Sequence, residues 1–109
     1  IGDPRWDPTA VVSVYDDSPV IIDGYSLGQN YPNPFNPVTK ITFDLPIADD
    51  ISLKAFNMIG QEVALIASGN YPAGVHTVRF NGVDLPSGIY FYTLTGGGIY
   101  VTRKMILMK

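Results

Sequence analysis

The chain has no cysteine in its 109 residues, which excludes disulfides, thiolate nucleophiles and zinc–thiolate sites together and leaves the redox compartment open. Charge is also scarce: Asp, Glu, Lys and Arg make up 16%, against roughly 25% in an average globular domain. Fewer solvated side chains per unit of surface means that some of that surface is suited to a partner rather than to water. The charge that is present has the wrong sign for nucleic acid. Seven Lys+Arg against ten Asp+Glu, a net −3, cannot supply the basic stripe that neutralises phosphates. No window approaches the run of about 18 apolar residues that a membrane helix needs. No basic-then-apolar leader stands at Ile1, so the chain reads as a mature product or a fragment. The spacing of apolar residues at i, i+3, i+4 and i+7 that marks an amphipathic helix is missing throughout.

The dominant pattern is alternation. Ile41, Phe43 and Leu45 share one parity, with Lys40, Thr42 and Asp44 on the other; Ile51, Leu53 and Ala55 alternate with Ser52 and Lys54, and Val78 and Phe80 with Thr77 and Arg79. Period two places one face on a core and the other in water. Turn residues separate these runs every ten residues or so: Asp49-Asp50, Ile59-Gly60-Gln61, Ser68-Gly69-Asn70, Asn81-Gly82 and Pro86-Ser87-Gly88. That is the rhythm of a sandwich or barrel. Strands are predicted over about 9–15, 38–45, 51–58, 62–67, 75–81, 88–95 and 99–108. Ile89 to Leu94 is apolar or aromatic on both faces, low in charge and free of proline. On an open edge such a run invites aggregation, so it is expected in the middle of a sheet.

With 46% hydrophobic residues, one core forms without a metal or disulfide, and a chain this size holds one domain. Residues 1–24 read apart from the rest, as an N-terminal arm or linker that is either the end of a preceding domain or a donated strand. Gly2 to Pro8 is too rich in proline for a strand interior, and Asp16-Asp17-Ser18-Pro19 breaks the short β-prone stretch Thr9 to Tyr15. Residues 25–109 are expected to form the sandwich.

From Tyr25 onward a string of motifs stands in order. It opens with Leu27-Gly28-Gln29-Asn30-Tyr31-Pro32-Asn33-Pro34-Phe35-Asn36-Pro37 and continues with Phe43-Asp44-Leu45-Pro46 and Asn57-Met58-Ile59-Gly60-Gln61-Glu62-Val63. Leu85-Pro86-Ser87-Gly88-Ile89-Tyr90 follows, and the chain closes on Arg103-Lys104-Met105-Ile106-Leu107-Met108-Lys109. This set resembles the C-terminal sorting domain (type A) of the type IX secretion system, a relative of the immunoglobulin-like domain of flagellar hook-capping proteins. Alone each piece is weak; the Asn-Pro segment and the basic–apolar terminus at this separation are specific. The resemblance implies an all-β, immunoglobulin/fibronectin-like antiparallel β-sandwich of about seven strands. It also implies a non-catalytic sorting and anchoring module that carries a secreted protein through the periplasm and outer membrane to the cell surface. Its implied partners are the secretion translocon and a surface peptidase, with no cofactor, nucleic acid or small-molecule substrate.

Under that resemblance the expected recognition residues are Tyr31, Asn33, Phe35 and Asn36 in the proline loop and Arg103, Lys104, Met105 and Lys109 in the terminal run. Each proline fixes its own φ and pushes the asparagine before it to extended values, which stiffens the loop. Tyr31 and Phe35 are read first as plugs for one end of the sandwich and second as a recognition surface. Cleavage by the peptidase is expected ahead of Tyr31, near Asp23-Gly24. His76, the one histidine, has the parity of Val78 and Phe80 and no acid or cysteine at ligand spacing, so a packed, hydrogen-bonded ring is expected. Gly96-Gly97-Gly98 reads as a hairpin tip rather than a phosphate loop, since no helix follows. A second function of another class is a self-assembling extracellular subunit, in which Val11, Val12, Val14 and Tyr15 of the arm add as a strand to the next copy. A carbohydrate-binding module ranks behind both.

Overall fold

A computed structural model of the chain describes residues 19–109. All regular secondary structure among them is β, in eight strands: β1 Val20–Ile22, β2 Tyr25–Leu27, β3 Val38–Leu45, β4 Asp49–Phe56, β5 Glu62–Tyr71, β6 Gly74–Asn81, β7 Gly88–Gly96 and β8 Ile99–Leu107. They form two antiparallel four-stranded sheets, in the orders β1-β2-β3-β6 and β5-β4-β7-β8. The sheets pack face to face as an immunoglobulin-like sandwich. The six strands expected between residues 38 and 108 are all present, and β1 and β2 bring the number to eight rather than about seven. The expected strand over 9–15, with Val11, Val12, Val14 and Tyr15, lies outside the described residues.

The alternation in the sequence becomes the two inner faces. Ile41, Phe43 and Leu45 meet Ile51, Leu53, Ala55, Tyr92 and Leu94, all buried, in one hydrophobic core. The two-faced run 89–94 does lie in the interior of its sheet, with β4 on one side and β8 on the other. There its apolar residues cannot template pairing with another chain. His76 is packed as expected: its ring centroid lies 5.4 Å from that of Phe43 and 5.1 Å from that of Tyr71, and Nε2 is 2.7 Å from the Pro72 carbonyl oxygen.

Two departures have local causes. Ser68-Gly69-Asn70, expected as a turn, continues β5 to Tyr71, opposite Ser52, Ile51 and Asp50. β5 is an edge strand, one side of which needs no apolar pattern, and two register shifts against β4 interrupt its ladder, as bulges do on protected edges. Val20–Ile22, expected within the arm, pairs with Tyr25–Leu27. The intervening Asp23 and Gly24 have φ of 53° and 85°, the paired positive values of a two-residue hairpin turn, for which Asp-Gly is a favoured sequence. Asp23-Gly24, near which cleavage is expected, is therefore an exposed tight turn between two short strands rather than an extended linker.

At the β7–β8 hairpin, Gly97 has φ of 53°, and a Cβ there would run into the Tyr25 hydroxyl and the Asp49 carboxylate. Tyr25 donates to Asp49 at 2.6 Å and so ties the two sheets together at this end. The same hydrogen bond, with burial and the carboxylate charge behind it, pushes the Tyr25 pKa up.

Candidate functional site

The two segments that are most specific in sequence, 29–37 and 103–109, lie against each other. The proline loop runs along the outer edge of β8 as a strap. The Phe35 amide donates to the Ile106 carbonyl at 2.9 Å, and the Met108 amide donates back to the Phe35 carbonyl at 2.9 Å. That exchange is a short parallel bridge centred on Leu107. Asn33 extends it by accepting the Ile106 amide on Oδ1 at 3.0 Å, and Gln29 Nε2 donates to the Lys104 carbonyl at 2.7 Å. The edge that β8 would otherwise present over residues 104–108 is thereby occupied by side chains and backbone of the loop. The loop's Tyr31-Pro32, Asn33-Pro34 and Asn36-Pro37 peptide bonds are cis.

Beneath the strap is a buried polar knot. Asn30 is 1% exposed; its amide donates to the Tyr92 hydroxyl at 2.8 Å, and its Nδ2 donates to Thr39 Oγ1 and the Pro32 carbonyl. The Tyr92 hydroxyl donates in turn to the Gly28 carbonyl at 2.6 Å. Arg103 reaches across from the opposite sheet to the Leu27 carbonyl at 3.1 Å and to Gln29 Oε1 at 3.2 Å. Every one of these bonds joins residues far apart in sequence or closes the loop on itself, so the knot fixes the loop against the end of the chain. A buried network of this kind stiffens a site only because its members are satisfied.

Phe35 is fully buried, 6.0 Å from Phe80 between ring centroids. It sits over Gly82, where a Cβ would lie 3.3 Å from its ring and 3.2 Å from Leu107, so a larger residue there would have to push both side chains back by a few tenths of an ångström. Tyr31 does not share this fate. It pairs with Lys40 across an antiparallel bridge and follows Lys40 to the outside, 80% exposed, since cross-strand partners share a face.

The expected recognition residues therefore divide. Tyr31, Asn33, Asn36, Lys104 and Lys109 lie at the surface, whereas Phe35, Arg103 and Met105 are buried. Arg103 and Met105 have the inward parity of Val101 and Leu107. Lys109 is held down at both ends, its amide donating to Ser87 Oγ at 3.0 Å and its ammonium to the Val83 carbonyl. Gln29, Asn30 and Tyr92 were not singled out from the sequence. An Asn directly before Tyr-Pro, and a Tyr within an apolar strand, are the signals that mark them.

Burial pushes the Tyr92 pKa up to about 12, with the Asn30 amide and Arg103 pulling the other way. The folded state thus holds the neutral phenol against an unfolded value near 10. That stabilisation is complete below pH ~10 and is lost as pH rises towards about 12. Unfolding free energy is expected to fall across this interval by about 2 kcal/mol beyond that of Tyr92→Phe, as read by urea titrations at stepped pH.

Residues 29–108 match the family model for the secretion system C-terminal sorting domain. The chain belongs to the type IX secretion C-terminal sorting domain family. The whole strap and the terminal strand up to Met108 fall within the matched region. A sorting domain of this type marks a protein for export by the type IX machinery, to the surface or beyond. Comparison with curated proteins and with solved structures gives no match.

Proposed function

We propose that this sorting domain is a non-catalytic address, read as a folded sandwich by the outer-membrane translocon at the surface formed by the proline loop and the terminal strand. One observation carries the reading: the sequence's two most specific segments, 66 or more residues apart, join by direct hydrogen bonds into one surface. Its exposed groups are Tyr31, Asn33, Asn36, Lys104 and Lys109. A translocon that inspects this surface tests both ends of the domain at once and rejects chains that have not folded.

The test is export of a reporter carrying residues 1–109 at its C-terminus in a type IX-competent bacterium. The expected result is reporter at the surface or in the medium, and reporter left in the periplasm when residues 104–109 are deleted. Periplasmic retention of the intact fusion, or export of the truncated one, would contradict the reading.

A further inference from the structure

The outer faces of the two sheets differ in kind. On the first sheet the outward pairs of β3 and β6 are Lys40 with Arg79, Thr42 with Thr77 and Asp44 with Val75, polar at five of six positions. On the second sheet one row across all four strands reads Glu62, Phe56, Phe91, Lys104 from β5 to β8. The next row towards the chain's end pairs Ile89 with Ile106. Beside it Met58 and Ile59, 67% and 79% exposed, form one wall of a shallow groove whose other wall includes Ile89. Phe56, Phe91, Ile89 and Ile106 are half-buried and adjoin the exposed Met58 and Ile59, and a contiguous apolar patch of this kind marks a contact surface rather than a solvated one.

The order of the row indicates what covers it. An acid stands at one end, a base at the other, and two phenylalanines between them. A two-fold axis along the strands, between β4 and β7, maps that row onto its own reverse. Face to face, Lys104 of one copy then lies over Glu62 of the second, and Phe56 over Phe91. Strands sit about 4.8 Å apart, so the two charges lie at equal distances of roughly 7 Å on either side of the axis. The local charges are free to respond. Among the described residues Lys104 has no acidic partner, and Glu62 pairs with Lys54 alone, at 3.5 Å, with side chains 45% and 42% exposed. A pair that open contributes little to the monomer.

We infer that the outer face of the β5-β4-β7-β8 sheet is a self-complementary docking surface for a second copy of this chain, joined by reciprocal Glu62–Lys104 pairs around the Phe56–Phe91 centre. Isologous contact of one patch with itself is the commonest way in which a homodimer closes. Two residue rows across four strands span roughly 20 by 15 Å, a footprint smaller than the roughly 800 Å² per partner of a standard interface, so the dimer is expected to be weak, with a dissociation constant of about 10 μM to 1 mM. This surface lies on a sheet face and meets the strap's surface at Lys104 alone, and the inference stands whether or not the strap is what the translocon reads.

The test is sedimentation equilibrium on the full 109-residue chain up to about 1 mM, at low and at moderate salt. The expected result is a monomer–dimer equilibrium that salt weakens. Glu62→Lys or Lys104→Glu alone sets like charges face to face, and each is expected to raise the dissociation constant about tenfold or more. The double variant, E62K with K104E, is expected to restore it to within about threefold, because both pairs re-form with their signs exchanged. Both positions are exposed, so circular dichroism should show unchanged folding. A chain that stays monomeric at 1 mM would overturn the inference. So would a dimer indifferent to the single reversals, or one the double reversal fails to rescue; either outcome places the contact elsewhere.

Discussion

Phe35→Ala is expected to destabilise the sandwich by about 3–5 kcal/mol, the usual cost of emptying a fully buried aromatic site. Nothing nearby can collapse into the space. Phe80 on one side and Leu107 on the other are anchored in strands, and Gly82 below has no side chain to move. The loss should not stay local, because the Phe35 backbone carries both hydrogen bonds that bridge the loop to Ile106 and Met108. For a domain of this size, 3–5 kcal/mol is a large share of total stability. Guanidinium titration is expected to show a midpoint much lower than that of the parent chain with an unchanged slope, the signature of lost stability rather than a changed unfolded state. A loss under 1 kcal/mol would mean that the loop is not seated as described.

The second large effect is expected at Arg103, a charged residue on the inward side of β8. Its guanidinium donates to the Leu27 carbonyl and to Gln29 Oε1, and truncation to alanine leaves those acceptors in a buried setting while emptying the space its stem fills. Hydrogen bonds from a charged donor contribute about 1.5–3 kcal/mol, so Arg103→Ala is expected to cost about 3 kcal/mol. Arg103→Lys separates charge from geometry. Lysine keeps the charge and the stem but lacks the planar fork that reaches two acceptors in different directions, so most of the loss should remain. Full recovery with lysine, in the same titration, would show that the charge alone matters.

Much of the fold was legible because burial follows parity. Ile41, Phe43 and Leu45, like Ile51, Leu53 and Ala55, could only alternate between core and water, and the two-faced run at 89–94 could only lie inside a sheet. Where the reading failed, a different local rule prevailed. Asp23-Gly24 falls at the end of the expected arm although it is a strong hairpin signal, because the short strands it joins have too few residues to show a period. Tyr31 and Phe35 look equivalent in sequence, yet the bridge to Lys40 turns one outward while the bridge to Leu107 draws the other in. A basic residue in a terminal run reads as surface; Arg103 is inward because β8 keeps its alternation through position 103, with the backbone of β2 and the Gln29 side chain in reach of the fork. The site was legible as two segments and not as one surface, since no spacing in the sequence says that residues 33 and 106 touch.

The most direct measurement is therefore export of the reporter fusion carrying Tyr31→Ala, set beside one carrying Val75→Ala. Both side chains are exposed, 80% and 67%, so neither change should move the unfolding midpoint, but only Tyr31 lies on the strap. The expected result is export reduced about tenfold by Tyr31→Ala and unchanged by Val75→Ala. Normal export with Tyr31→Ala, or equal losses from the two, would contradict recognition at the joined loop and terminal strand.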